Sequence, residues 1–168
     1  FRRVLFRSYY RSPGESKWRE IHRISENSFD TFSLASYPEE GSSVAFVLAT
    51  NGDDKRALWA YDLDKKEFIE KIYADSEADL SGVFYHYDYY NYPNQMIGIR
   101  TSKEKPRRLY FSSDLADAAK ITQNQIEDVI PNSYTTYITD LSKDLTHMII
   151  FNQGPKDPGS YYLIKNGK

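Results

Sequence analysis

The side chains best suited to acid–base chemistry in this sequence are its three histidines, His22, His86 and His147. A catalytic histidine needs a nucleophile within hydrogen-bond reach and a third group that orients its ring. None of the three has a serine, an aspartate or a second histidine at a spacing that forms such a set. Each lies in a predicted strand, which favours a polar residue on a strand face. The sequence therefore predicts no catalytic residue.

Two acidic pairs, Asp53-Asp54 and Asp62-x-Asp64, carry the ligand types that a hard cation prefers. A calcium loop needs more oxygen ligands and a bidentate glutamate or its equivalent downstream. Aspartate and asparagine also close hairpin turns with their own side chains, which explains both pairs without an ion. The sequence contains no cysteine, so thiolate sites and disulfides are excluded. It predicts neither a metal site nor a cofactor.

The most unusual local composition is the aromatic stretch 85–92, which reads Tyr-His-Tyr-Asp-Tyr-Tyr-Asn-Tyr. Exposed tyrosine rings could stack on a ligand or a sugar. In a strand, alternation would divide these side chains between two faces, with Tyr85, Tyr87 and Tyr89 on one and His86, Asp88 and Tyr90 on the other. Because aromatic residues commonly fill the faces between packed sheets, the interpretation favoured here is packing between sheets.

The charge balance excludes two classes of partner. The formal net charge is −2 and the pI is near 6.0, so no global positive field holds nucleic acid or an anionic membrane surface. The basic stretch 103–108 contains a glutamate and no aromatic residue, and it is predicted to be a solvated hairpin tip. No stretch approaches the ~20 apolar residues that span a bilayer, and no signal-peptide pattern is present. The absence of cysteine fits several compartments, so localisation is not predicted.

Short apolar runs bounded by Gly, Asn and Asp predict sequential antiparallel strands. The clearest set has strands at 44–49, 58–61 and 68–72. Two further sets follow, with strands at 83–90, 95–101 and 107–111, and at 134–139, 147–152 and 160–164. A tight turn is predicted at Asp157-Pro158-Gly159. Groups of three or four strands that repeat every ~40 to 50 residues are typical of propeller blades. A β-sandwich is the alternative, but the tight connections favour blades.

One segment departs from the β pattern and predicts a short helix at 114–129. It has high helix propensity, no internal Pro or Gly, Ser113 or Asp114 as N-cap, and Pro131 as its stop. Its predicted apolar face consists of Leu115, Ala118, Ala119, Ile126 and Val129.

The predicted architecture is therefore mainly β, a partial β-propeller of about three blades with one helix between blades. Residues 1–8 resemble the translation of a sequencing-adapter oligonucleotide and are set aside as a probable artefact. The propeller then occupies 9–168, and we expect it to be truncated at both ends.

Several segments, taken in their order and spacing, resemble a known family across nearly all of 9–168. They are Trp18–Ile21, Ala57–Leu63, Gln95–Arg100, Leu109–Asp114, Ile138–Asp144 and Pro158–Leu163. The most specific part is the helix followed by the Asp-Pro-Gly-Ser-Tyr-Tyr segment. Together they resemble the N-terminal β-propeller domain of the prolyl oligopeptidase family of serine peptidases, particularly its acylaminoacyl-peptidase-like and dipeptidyl-aminopeptidase-like bacterial members.

The resemblance implies that the parent protein is a serine peptidase. In that family an α/β-hydrolase domain follows the propeller and carries a Ser, Asp, His triad, with the serine in a Gly-x-Ser-x-Gly elbow. No such motif occurs in this sequence, so no catalytic residue carries over. The implied role is noncatalytic: the propeller gates and positions peptide substrates for a missing C-terminal hydrolase domain of the same chain. By itself this chain should be inactive.

Two alternatives remain open. The first is a stand-alone propeller or sandwich module that binds a protein or ligand without enzymatic activity, with the aromatic stretch as its contact surface. The second is a periplasmic propeller that resembles translocation-associated repeat proteins. It shares strands that end in Tyr-Asp, as Tyr61-Asp62 does here, but gives no reason for the helix. Substrate preference and oligomeric state are not predicted.

Overall fold

The computed structural model describes residues 6–25, 28–103 and 106–165. These residues form twelve strands and one helix. In chain order they are β1 Arg7–Tyr10, β2 Arg19–Arg23, β3 Phe32–Leu34, β4 Val44–Ala49, β5 Ala57–Asp62, β6 Glu67–Tyr73, β7 Leu80–Tyr85, β8 Met96–Ser102, β9 Pro106–Tyr110, α1 Asp114–Val129, β10 Thr135–Leu141, β11 His147–Gly154 and β12 Asp157–Lys165. Arg7 and Ser8, the last residues of the adapter-like segment 1–8, lie in β1 and pair with β2.

The strands form four antiparallel sheets, β1-β2, β3-β4-β5-β6, β7-β8-β9 and β10-β11-β12. In every one the spatial order of the strands equals their order in the chain. The mainly β class, the meander connections and the helix are thus confirmed. A sandwich sends successive strands back and forth between two sheets. Among the described residues each sheet is finished before the next begins, which is the connectivity of propeller blades.

The chain divides into two compact units, one formed by residues up to Gly82 with Arg100–Arg107, the other by Val83–Ile99 with the residues from Arg108 onward. In the first unit, Tyr10 and Ile21 from β1 and β2 share a buried core with residues of β4 and β5. Tyr61 is the largest side chain fully buried there, and its hydroxyl donates to the Ile21 carbonyl at 2.6 Å. The Tyr-Asp strand end therefore places an aromatic anchor in the core and a turn-closing carboxylate beside it.

In the second unit, α1 begins as predicted, because Ser113 is the N-cap and its Oγ accepts from the Ala116 amide at 3.2 Å. The helix buries Ala116, Ala119 and Ile126. The predicted apolar face was wrong in part: Ala118 is exposed and Val129 is 67% exposed. The buried residues follow the spacing i, i+3, i+10. The buried face of the helix is therefore rotated relative to the predicted face, and it excludes Ala118 and Val129.

Two predicted boundaries were also wrong. The strand predicted at 83–90 ends at Tyr85, and residues 87–94 form a turn-rich loop instead. The tight turn predicted at Asp157-Pro158-Gly159 falls at Pro155-Lys156, between the paired residues Gly154 and Asp157. The positive backbone angle expected of Gly159 is present, at φ 132°, but it lies inside β12.

Candidate functional site

His22 lies in β2 and is surrounded by aromatic rings. It stacks on Phe32 with centroids 4.1 Å apart, and the edges of its ring meet Tyr61 and Phe68. The Tyr61 hydroxyl lies 3.4 Å from its Nδ1. Burial lowers the pKa of His22, and the nearby Asp30 carboxylate opposes that shift. The contacts are those of a half-buried core histidine.

This environment predicts an acid-dependent loss of stability in the first unit. With its pKa below the unfolded value of about 6.5, folded His22 stays neutral while the unfolded chain takes up a proton. Stability therefore falls as the pH drops from 7 to 5. We expect His22→Gln to reduce this dependence, measured during thermal unfolding at the two pH values by the fluorescence of Trp18 and Trp59, which both lie in the first unit.

The exposed His147 of the second unit provides the matched control, His147→Gln. It should leave the pH dependence of the tryptophan fluorescence transition unchanged. An equal response to pH in His22→Gln and the original chain would show that another group controls the transition.

Ser142, Asp144 and His147 bring the three residue types of a hydrolase triad into one turn, but their hydrogen bonds differ from those of a triad. Ser142 Oγ donates to Asp144 Oδ1 at 2.6 Å and accepts from the His147 backbone amide at 3.0 Å. The His147 ring contacts Thr146 Oγ1 at 2.8 Å. Hydroxyls of Ser142 and Thr146 lower the pKa of Asp144 to about 2. The His147 ring is bonded to Thr146 and not to the Ser142 hydroxyl, so these residues do not have the geometry of a catalytic triad. Their hydrogen bonds stabilise the β10–β11 turn instead.

The two acidic pairs form hydrogen bonds within a turn and ion pairs with lysines. Asp62 accepts from the amides of Asp64 and Lys65 at 2.9 and 3.0 Å, and these bonds lower its pKa. Asp53 and Asp54 pair with Lys71 and Lys55 at 2.5 and 2.7 Å. Within the described part of the chain, no group of three or more His, Cys, Asp and Glu side chains could hold a metal ion.

The basic stretch 103–108 only partly matches the predicted hairpin tip. Glu104 and Lys105 lie outside the described residues, and Pro106 begins β9. Arg108 is half-buried and bonds Glu127 at 3.2 Å and the Thr136 carbonyl at 2.5 Å. This arginine therefore connects β9 to the helix and β10 within the second unit.

The tyrosine loop, residues 86–95, connects β7 to β8 and replaces the part of the predicted strand that follows Tyr85. His86 is buried, its Nδ1 accepts from the Asp88 amide at 3.1 Å, and its ring stacks on Tyr87. Asp88 is also buried and accepts from Asn91 N and Nδ2 at 3.1 and 2.7 Å. Burial lowers the pKa of His86, so the ring is neutral at pH 7. His86 and Asp88 thus give the loop a fixed inner framework.

The outer side of the tyrosine loop carries exposed rings. Tyr89, Tyr90 and Tyr92 are 46%, 45% and 42% exposed, so the packing predicted between sheets does not cover them. The rings of Tyr89 and Tyr90 lie 4.4 Å apart at a tilt of 36°. Tyr89 donates its hydroxyl to Asp140 Oδ1 of β10 at 3.1 Å. Hydrogen bonding to Tyr90, burial and the Asp140 carboxylate together raise the pKa of Tyr89.

A second exposed surface is one face of the β10-β11-β12 sheet. Its rings contact each other across all three strands, Tyr137 to Phe151 at 5.4 Å and Phe151 to Tyr161 at 4.9 Å. Tyr161 is 70% exposed and Leu163 54% exposed. We call this surface the aromatic face; it consists of Tyr137, Ile149, Phe151, Tyr161 and Leu163. The opposite face buries Ile150 against Ile126 and Ile130, so the sheet carries apolar side chains on both sides.

The first unit also holds a polar cavity of about 360 Å³ beside Tyr10 and Arg19. Arg19 forms an ion pair with Asp64 across it. Among the described residues, Arg19 Nε is buried without a hydrogen-bond partner. The lining carries both charge signs and several serine hydroxyls, which suits ordered water.

Comparison with known proteins gives no relative: no family model, no curated protein and no solved structure matches this chain. In the described part of the chain, no helix has the length and apolar character needed to cross a membrane.

Proposed function

We propose that this chain is a noncatalytic β-propeller segment of a serine peptidase of the prolyl oligopeptidase type. In this role it gates and positions peptide substrates for an α/β-hydrolase domain carried elsewhere on the same polypeptide. The propeller limits access by size, so short or unfolded peptides reach the triad and folded proteins do not. The peptidase assignment comes from the sequence resemblance, and the fold is compatible with it.

The observation that best supports the propeller is the aromatic face. A sheet with water on one side alternates apolar and polar residues, whereas a sheet covered on both sides is apolar throughout. β11 has apolar residues on both sides: Ile150 faces the buried core, and Ile149 and Phe151 face outward. Blades stack face to face, so an inner blade must be apolar on both faces. The exposed side is where we place the next blade.

Extension of the coding sequence in its native gene tests this proposal. We expect further short strands at the same spacing, followed by alternating strands and helices that include a Gly-x-Ser-x-Gly elbow. Further β repeats that end in a stop codon, with no such elbow, would refute the peptidase and favour a binding module.

The tyrosine loop favours a second candidate, a propeller module that binds a partner without enzymatic activity. Its exposed rings are the type of residue that dominates binding surfaces, because they offer rigid contact area with a polar tip. The first candidate binds a peptide as substrate and the second binds a protein or ligand as partner, and they differ in whether a hydrolase domain follows.

A further inference from the structure

We infer that Tyr89, Tyr90 and Asp140 form a binding site for the guanidinium group of an arginine side chain in a peptide. That the ligand is a peptide rests on the proposed function. The new element is the residue type, arginine, that the site recognises. It holds for either candidate, with or without a hydrolase domain.

The first support is the aromatic pair. The rings of Tyr89 and Tyr90 lie against each other, with centroids 4.4 Å apart at a tilt of 36°, and each residue is nearly half exposed, so part of this aromatic pair is accessible to a ligand. The negative face of an aromatic ring attracts a cation placed over it. A guanidinium group suits this surface better than an ammonium group, because it is planar and stacks on rings.

The second support is the carboxylate beside the rings. Asp140 is exposed, and its Oδ1 accepts from the Tyr89 hydroxyl at 3.1 Å and from the Leu141 amide at 2.8 Å. No described residue donates to Oδ2. The carboxylate is therefore held in one orientation with an oxygen still able to accept from a ligand, and bonds from a guanidinium to a carboxylate are among the stronger ones in proteins.

The third support is the charge of the surroundings. Residues 85–95 contain no lysine or arginine, and Asp88 is their one acidic residue. His86 is neutral at pH 7 because it is buried. The loop thus supplies no cation of its own to pair with Asp140, and a positively charged ligand meets no repulsion from it. The framework around His86 and Asp88 fixes the loop in advance, which reduces the entropy lost on binding.

Equilibrium dialysis with labelled short peptides tests this site, because it measures binding whether or not the chain is monomeric. The probes are a glycine-flanked arginine peptide and the same peptide with citrulline, which has nearly the same shape and no charge. We expect the citrulline peptide to bind at least about threefold more weakly. Asp140→Asn and Tyr90→Leu should each weaken binding of the arginine peptide on the order of two- to fivefold.

Asp128→Asn is the matched control, since Asp128 is an exposed carboxylate on α1 of the same unit. It should leave binding unchanged, and circular dichroism should show all three variants folded. Equal binding of the two peptides, no binding of either, or equal losses in Asp128→Asn and Asp140→Asn would overturn the inference. If the native gene encodes the Gly-x-Ser-x-Gly elbow while these results are negative, the arginine site fails and the proposed function stands.

Discussion

Replacing Asn152 with alanine should lower the free energy of unfolding by about 3 kcal/mol, since it removes a fully buried side chain together with the hydrogen bonds that it makes to three other residues. Asn152 is 0% exposed. Its Oδ1 accepts from Thr136 Oγ1 at 2.8 Å and from the Tyr134 amide at 3.2 Å. Its Nδ2 donates to Asp157 Oδ2 at 2.8 Å. One side chain therefore links β10, β11 and the start of β12.

Urea unfolding followed by far-ultraviolet circular dichroism measures this loss as a lower midpoint. Asn124→Ala is the control, because Asn124 is exposed on α1 and alanine is the better helix former. It should unfold at the original urea concentration or slightly higher. If the free energy of unfolding of Asn152→Ala came within about 0.5 kcal/mol of that of the original chain, as surface substitutions usually do, the network would contribute little to stability.

This network also marks where prediction from sequence stops. The helix at 114–129 was predictable because its cap, its composition and its stop are all local. The strand at 44–49 was predictable because its apolar run and the turn residues that follow it are also local signals. Asn152 meets Thr136 only through strand pairing, at a sequence separation of 16, and Asp157 joins the network through Asn152. Local turn chemistry predicted a turn at Asp157, but Asp157 pairs with Gly154 and accepts a hydrogen bond from Asn152 of β11, and both contacts place it at the start of β12.

The sequence indicated the unusual composition of the candidate binding site, but the local structure predicted for it was wrong. The tyrosine-rich stretch was recognised as unusual, but alternation assigned it to a strand. The buried pair His86 and Asp88 forms a loop framework instead, and the loop exposes Tyr89, Tyr90 and Tyr92. Asp140 is 51 positions from Tyr89, so nothing local in the sequence could join them. The aromatic face had a sequence signal, because apolar residues on both sides of a strand indicate a sheet covered on both sides.

The aromatic face should make this chain associate with itself when it is produced alone. Contiguous exposed apolar surface of this kind on a single protein marks an interaction site or an aggregation hazard. Replacing Tyr161 and Leu163 with threonine removes its two most exposed side chains and keeps high strand propensity. The double variant should therefore remain folded and become largely monomeric. Ile69→Thr with Ile72→Thr is the matched control, since these are exposed strand residues of β6 in the other unit.

Sedimentation velocity of the three chains tests most directly whether the β10-β11-β12 sheet is built to be covered by another sheet. We expect the original chain and the β6 control to sediment as associated species, the Tyr161 and Leu163 variant to sediment as a monomer, and none to cleave peptides. A monomeric, stable original chain would contradict the account, because the aromatic face would then need no covering.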